Sequence, residues 1–485
     1  MGFDRYAAGV VTIARAMTVL GLLCFGAGAA KADGDLLPLG SKEETPPLDS
    51  VPAPYQSDNG IPARPAPPIE IGDPFLSTGP LFAGIDMPGG ATWQPRLWVF
   101  GTMRSVVDTY DTGLGTKKSR DVEDAEWANR LDLNVNLQLT GTERLFIGLR
   151  PLDRDRANEF TGATIAPGKD AGTNDDINGN LRTLFFEGDV GSTLPVLDEK
   201  GILPIDFGYS VGRQPVNFQN GILINDTIDA VGLVRNSIHL PGTSNVRVTV
   251  MAANNELHRP NAPNNSIHSD LFGVFTTADV EETTFDLDLI RLDDKVTNGD
   301  AFYEGASLIR RYELLNIALR VNSSVATEAP TKASTNGTLV SGEFSMSPFK
   351  SDDLVYVDPY VAFGDFTQAS KDPTVGGPLA PLGILYAGYG IGTIPSPLSS
   401  TAQDVAGFAL GYQAFWDQKR QNLTVELGGR DHTEAVPGQY NSGGIGAQFQ
   451  QAVGQHVILQ LNATAVAQEY HTADYGLRAE VFVQF

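Results

Sequence analysis

The sequence predicts an all-β chain: a closed antiparallel transmembrane β-barrel of about 18 strands, preceded by a disordered Pro-rich segment. Three observations carry that expectation. Segments from Trp93 onward alternate apolar and polar residues with period two. Their connections alternate between short and long. No apolar run long enough for a spanning helix follows the N-terminal region.

The first element is the N-terminus. Arg5 and Arg15 give a basic start, followed by the apolar run AMTVLGLLCFGAGAA and an A-x-A pattern at Ala30-Lys31-Ala32. This reads as a secretory signal peptide over residues 1–32, cleaved after Ala32. The single cysteine, Cys24, lies inside it, and Gly21-Leu22-Leu23 before it fit a lipoprotein site poorly. The mature chain then has no disulfide to staple it. Removing this segment, which carries a net +2, takes the chain from −24 to −26. Such acidity argues against nucleic acid as a partner, because phosphate binding needs a basic surface.

Residues 33–92 form the second element. Twelve of the 30 prolines fall here, in runs such as ETPPLDSVPAPY and IPARPAPPIEIGDP. Proline removes backbone donors and favours extended chain, so a disordered, acidic periplasmic spacer is expected, with a periplasmic partner as the alternative role.

The barrel, residues 93–485, is the third element. Strands are expected near 96–110, 126–140, 143–152, 180–190, 203–213, 227–236, 243–252, 270–279, 282–291, 300–311, 313–323, 336–349, 353–366, 402–416, 420–430, 440–453, 455–468 and 474–485. RLDLNVNLQL shows the pattern most plainly: Leu131, Leu133, Val135, Leu137 and Leu139 against Arg130, Asp132, Asn134, Asn136 and Gln138. One face of such a strand is apolar and the other wet. Hydrocarbon has no groups to pair backbone N–H and C=O, so only helices and closed sheets cross it. Short links such as 279–282, 311–313 and 417–420 alternate with long polar ones at 153–180, 253–270 and about 367–401, with 188–202 the longest of the short set. Tight turns at one end and long loops at the other is the pattern of an outer-membrane barrel.

The last strand, DYGLRAEVFVQF, sets Tyr475, Leu477, Ala479, Val481, Val483 and Phe485 on one face. An alternating last strand with a terminal aromatic is similar to the signal by which outer-membrane barrels are recognised, so the barrel assembly machinery is an expected partner through Phe485. Trp98 and Tyr110, near the ends of the first strand, are expected as interfacial aromatics.

With the apolar face toward lipid, Arg104, Arg130, Asp132, Asn134, Asn136, Gln138, Arg247, Arg320, Glu426, Arg430, Arg478 and Glu480 fall on the inward parity as candidate pore lining. NDDINGN spaces Asn174, Asp176 and Asn178 like the start of a calcium loop, but Phe185 at the twelfth position cannot ligate. The stretch 367–401, with GGPLAPLGILYAGYGIGTIPSPLSS, is apolar for an exposed loop and is expected either to constrict the lumen or to lie over the mouth as a lid. The six histidines show no H-x-x-x-H spacing, and no G-x-S-x-G elbow, phosphate loop or cysteine cluster is present. No enzyme activity, cofactor or metal is expected.

LRTLFFEGDVG (181–191) followed by IDFGYSVGRQPVNFQNGILINDTIDAVGLVRN (205–236) resembles porin-like families that include the alginate-export barrels, with Gly212, Arg213 and Gln214 matching their GRQ strand end. The resemblance implies an outer-membrane barrel of eighteen strands. Function is then expected to be a porin-like channel in the bacterial outer membrane, passing small hydrophilic solutes or an oligo- or polysaccharide. The alternative is a non-conducting envelope or anchoring barrel plugged by its loops.

Overall fold

The computed structural model describes residues 67–72, 84–111, 123–154, 159–165, 172–175, 177–198, 204–261, 269–295, 299–348, 351–434, 436, 440–469 and 473–485. Eighteen antiparallel strands close into a barrel. They are β1 (Arg96–Asp111), β2 (Glu123–Gln138), β3 (Arg144–Leu149), β4 (Leu181–Asp189), β5 (Phe207–Phe218) and β6 (Ile224–Ile238). Next come β7 (Asn245–Asn254), β8 (Ser269–Val280), β9 (Thr283–Asp294), β10 (Ala301–Tyr312), β11 (Leu315–Ala326) and β12 (Gly337–Met346). The last six are β13 (Leu354–Phe366), β14 (Ala402–Trp416), β15 (Gln421–His432), β16 (Ser442–Val453), β17 (Val457–Gln468) and β18 (Asp474–Gln484). Each overlaps one strand expected from the sequence.

Sequential strands pair all round the wall. β18 closes on β1 from Tyr475 opposite Asp111 to Gln484 opposite Thr102. The seam continues to the Phe485 backbone, which exchanges both hydrogen bonds with Gly101 at 2.8 and 3.1 Å. A closed sheet leaves few backbone groups without a partner, which is the condition hydrocarbon imposes.

Register fixes the faces. Leu131, Leu133, Val135 and Leu137 lie opposite Met103, Gly101, Val99 and Leu97, and this row carries the outward parity. Exposed Leu287, Leu289, Leu427, Leu461 and Leu477 extend the apolar belt outside. Trp98 and Tyr110 depart from expectation. They pair with Asn136 and with Gly476 on the inward parity, and Tyr110 is buried with its hydroxyl 3.5 Å from Asp474. Even-numbered positions of β1 face inward, so the alternation overrides the general preference of Trp and Tyr for the interface.

Links at one end are short, such as Glu281-Glu282 between β8 and β9 and Glu313-Leu314 between β10 and β11. Residues 190–206 are the longest of this set and hold a short helix, Val190–Thr193, capped by the Asp189 carboxylate on the Ser192 amide at 3.0 Å. At the other end the chain makes long excursions. That between β3 and β4 supplies the strand Glu159–Thr164, which pairs with β2 at Glu126–Asn129 above the short β3.

The Pro-rich segment is not wholly unstructured. Ile69–Ile71 pairs with β1, and a small hairpin, Ile85–Asp86 with Thr92–Trp93, sits beside the 190–206 link, where the Val196 amide donates to Gly89 O at 3.2 Å. The alternation in IEI gives these residues strand character that the surrounding prolines hide. Residues 33–66 and 73–83, and the signal segment, lie outside the described residues.

Candidate functional site

Residues 367–401, between β13 and β14, run inside the barrel. Sequence composition is the cause: Leu379, Leu382, Leu385, Tyr386 and Leu398 are fully or almost fully buried, packed on Leu339, Tyr360, Phe366, Val405 and Ala409 of the inner wall. Burying them stabilises the inward position by about 1.5–3 kcal/mol for each large side chain. The inner wall is therefore dry where this segment lies, and a second buried apolar cluster, with Met251, Phe275, Ile290, Leu292 and Tyr303, runs through β7–β10, a mixture that strict alternation did not foretell. Of the two expectations for this stretch, the lumen position holds.

Polar anchors fix the path. The Glu426 carboxylate, fully buried on β15, accepts the amides of Ile384 at 2.8 Å and Leu385 at 2.9 Å and the hydroxyl of Tyr356. A Cβ at Gly383 would stand 2.7 Å from both Glu426 oxygens and 2.8 Å from the Ala409 methyl, so a side chain there would push on this anchor. Further round the wall, on β1 and β2, Arg104 donates to Tyr389 O at 2.9 Å and Arg130 to Gly390 O at 2.5 Å. Arg478 reaches Ile391 O at 3.5 Å and stacks over the Tyr389 ring at 4.3 Å. Glu126 accepts the Thr393 amide at 2.6 Å and its hydroxyl at 2.7 Å. Arg430 donates to Ser399 O at 2.5 Å. Hydrogen bonds to charged groups are the strong ones, and here they come from β15 and, three to five strands further round the wall, from β18, β1 and β2.

The start of the segment is pinned at the long-loop end. Asp226 accepts from the Ser370 hydroxyl, from the His258 amide at 2.9 Å and from His258 Nδ1 at 2.8 Å. Asp372 pairs with Arg182 and accepts the Thr374 amide at 2.8 Å. Burial alone would raise the Asp372 pKa, but the Arg182 guanidinium and Thr374 outweigh it and hold the carboxyl well below the usual range. Burial would likewise lower His258, yet its hydrogen bond and charge pairing with Asp226 raise it above the ordinary imidazole value. Burial pushes the Tyr389 hydroxyl up to about 12.

The other sequence candidates are placed as follows. Arg104 pairs with Glu480 at 2.5 Å, and Arg478 with Asp108 at 2.6 Å and Glu480 at 2.9 Å. Arg130 and Arg150 share Asp132, at 2.8 and 2.9 Å. Arg320 pairs with Glu343, and Arg247 remains exposed, 3.5 Å from the Thr277 hydroxyl. Asn134 stands beside Gly148, Asn136 is buried, and Gln138 bonds Thr140 O at 2.6 Å. Arg104, Arg130, Asp132, Arg478 and Glu480 thus form one connected group with Tyr389–Ile391, while Arg247 and Arg320 stand apart from it.

Residues of this group that were not singled out include Asp108, Glu126 and Arg150. Asp108 and Glu126 sit on the inward parity of β1 and β2, so extending the alternation a few residues would have found them. Gly212, with φ of +122°, precedes Arg213, which grips Asp229 at 2.9 and 3.2 Å and Glu256 at 3.2 Å, while Gln214 bonds Ala230 O at 3.1 Å. Arg213 lies on the outward parity, opposite exposed Leu184, so this motif ties wall to loop rather than lining the lumen. Of the calcium-like spacing, Asp176 lies outside the described residues; Asn178 bonds Arg150 O at 3.3 Å and Phe185 stacks on Phe146 at 5.4 Å. Among the described residues no group of three or more metal-ligating side chains occurs.

No family model and no curated protein matches this sequence. Solved structures do match by shape. Pseudomonas aeruginosa OccK2 (OpdF) aligns over 80% of this chain and 97% of its own, with 10% identity and a TM-score of 0.54. The outer membrane protein OpdK from Pseudomonas aeruginosa aligns over 80% and 98%, with 12% identity and a TM-score of 0.51. OpdK with vanillate aligns over the same shares, with 13% identity and a TM-score of 0.53. These likenesses support a porin-like barrel and give the alginate-export resemblance no specific support. The chain has the fold of a closed, eighteen-stranded antiparallel β-barrel similar to that of these outer-membrane proteins.

Proposed function

We propose that this chain is a porin-like channel of the bacterial outer membrane, delivered there by a cleaved signal peptide, and that it passes small hydrophilic solutes through a lumen narrowed by residues 367–401. The observation that carries this reading is the double attachment of that segment: Asp226 on β6 holds its start, and Glu426 on β15, nine strands round the eighteen-stranded wall and so facing it, holds its middle. A constriction built from both sides suits a sieve for small solutes and disfavours passage of a polysaccharide. The presence of vanillate with OpdK in a barrel of like shape supports a small organic solute as the cargo class. The paired charges of the lumen, Arg104 with Glu480 and Arg130 with Asp132, would act on polar solutes as fixed dipoles. The strand ending in Phe485 is the part proposed to meet the barrel assembly machinery, and lipid covers the outward face.

Liposome swelling with purified protein tests the reading. Small sugars and organic acids should enter while oligosaccharides lag. Vesicles that stay impermeable to every small solute would favour the plugged, anchoring barrel. In that case a truncation tested for loss of a periplasmic partner should stop at residue 66, because residues 67–72 already belong to the barrel rim.

A further inference from the structure

We infer that Ile69–Ile71 is a strap that closes the barrel seam at the short-turn end. β2 occupies one edge of β1 along its whole length, from Arg96 to Asp111. β18 occupies the other edge only from Asp111 down to Thr102, with Phe485 adding Gly101. Below that, Leu97–Val99 would present an open edge. The strap fills it: Ile69 lies opposite Val99, Glu70 opposite Trp98 and Ile71 opposite Leu97, antiparallel to β1 and so running in the same sense as β18.

The faces agree with this role. Val99 and Leu97 lie opposite Val135 and Leu137 on the outward parity, so Ile69 and Ile71 extend the apolar belt while Glu70 shares the inward side with Trp98. Both isoleucines are exposed, at 48% and 61%, as lipid-facing residues of the belt are. An edge left open at a membrane boundary lacks partners for its N–H and C=O groups and can recruit a foreign strand. Pro67 and Pro68 before the strap and Pro74 after it keep it short and limit further pairing. The Pro-rich segment thus acts as a built-in closing piece of the wall, covering the stretch of β1 edge that β18 leaves open. Only the membrane setting is borrowed from the channel reading.

Disulfide trapping in the full chain with Cys24→Ser tests the strap. Residues directly opposite across antiparallel strands bring their Cβ atoms within about 4.5–5.5 Å. Ile69→Cys with Val99→Cys should therefore crosslink on mild oxidation, and Glu70→Cys with Val99→Cys, which face opposite sides, should not. In the first pair, oxidation should raise the temperature at which the folded band converts to the unfolded band on a gel by several degrees over the reduced protein. Deleting residues 67–72 should lower that midpoint while leaving solute permeation in place. Absent crosslinking, equal crosslinking of both pairs, or a midpoint unmoved by oxidation would overturn the strap. Permeation is read separately, so failure of the channel reading would not be mistaken for failure of this one.

Discussion

Replacing Glu426 by Gln should loosen the constriction by an amount that follows from its hydrogen bonds. The carboxylate accepts three donors, the amides of Ile384 and Leu385 and the Tyr356 hydroxyl. Glutamine keeps the size but turns one oxygen into a donor, so at least one backbone amide loses its acceptor and faces an N–H instead. The surviving bonds also drop from charge-assisted to neutral strength. A bond to a charged group is worth about 1.5–3 kcal/mol and a neutral one about 0.5–1.5 kcal/mol, so losing one and weakening two should loosen the anchor by about 3.5–6 kcal/mol. At about 1.4 kcal/mol per tenfold, the docked state loses roughly 300- to 20,000-fold in equilibrium constant. Hydrogen–deuterium exchange read by mass spectrometry reports this directly. Peptides covering 379–387 should exchange faster in the variant, while β14 peptides keep wild-type protection. Unchanged exchange throughout 379–387 would refute Glu426 as the anchor.

Other expectations follow from neighbouring contacts. Arg130→Ala removes the bond to Gly390 O and leaves Asp132 to Arg150; single-channel conductance should rise, with about 1–2 kcal/mol lost in chemical unfolding. Leu131→Arg on the outward face should cost about 2–4 kcal/mol in urea unfolding from vesicles, whereas Asn134→Leu on the inward face should cost far less. Equal penalties would contradict the assignment of faces. His258 has a folded pKa above the ordinary imidazole value, so its pairing with Asp226 is fully present below about pH 6.5 and fades as pH rises through the folded value. Proteolysis near residues 369–372 should accelerate as pH rises above about 6.5, relative to an unstructured control peptide, and His258→Gln should remove that dependence.

Strand positions were legible because alternation is a local property. Leu131 to Leu137 and Leu477 to Val483 declare their outward face without reference to any partner, and the short and long links then order the wall. The constriction was only half legible. The apolar composition of 379–398 marked it as unlike a solvated loop, but which side chains receive it depends on contacts spanning hundreds of residues, as from Arg104 to Tyr389. No periodicity encodes that. Arg150 lies within the strand expected over 143–152, but Phe146 and Gly148 share its parity, so no polar alternation marked that face as wet. Trp98 and Tyr110 misled for the opposite reason: a residue-type preference was followed where strand parity decides. Ile69–Ile71 was hidden by its prolines, which dominate composition although the strap itself contains none.

In the proposed channel, water crosses the barrel past a segment held in its lumen. Single-channel recording in planar bilayers compares the wild-type chain with a variant whose residues 379–391 are replaced by a short Gly-Ser linker. Discrete conductance is expected from both, with the larger current through the variant. Silence from both folded, inserted proteins, or equal currents, would overturn the proposal.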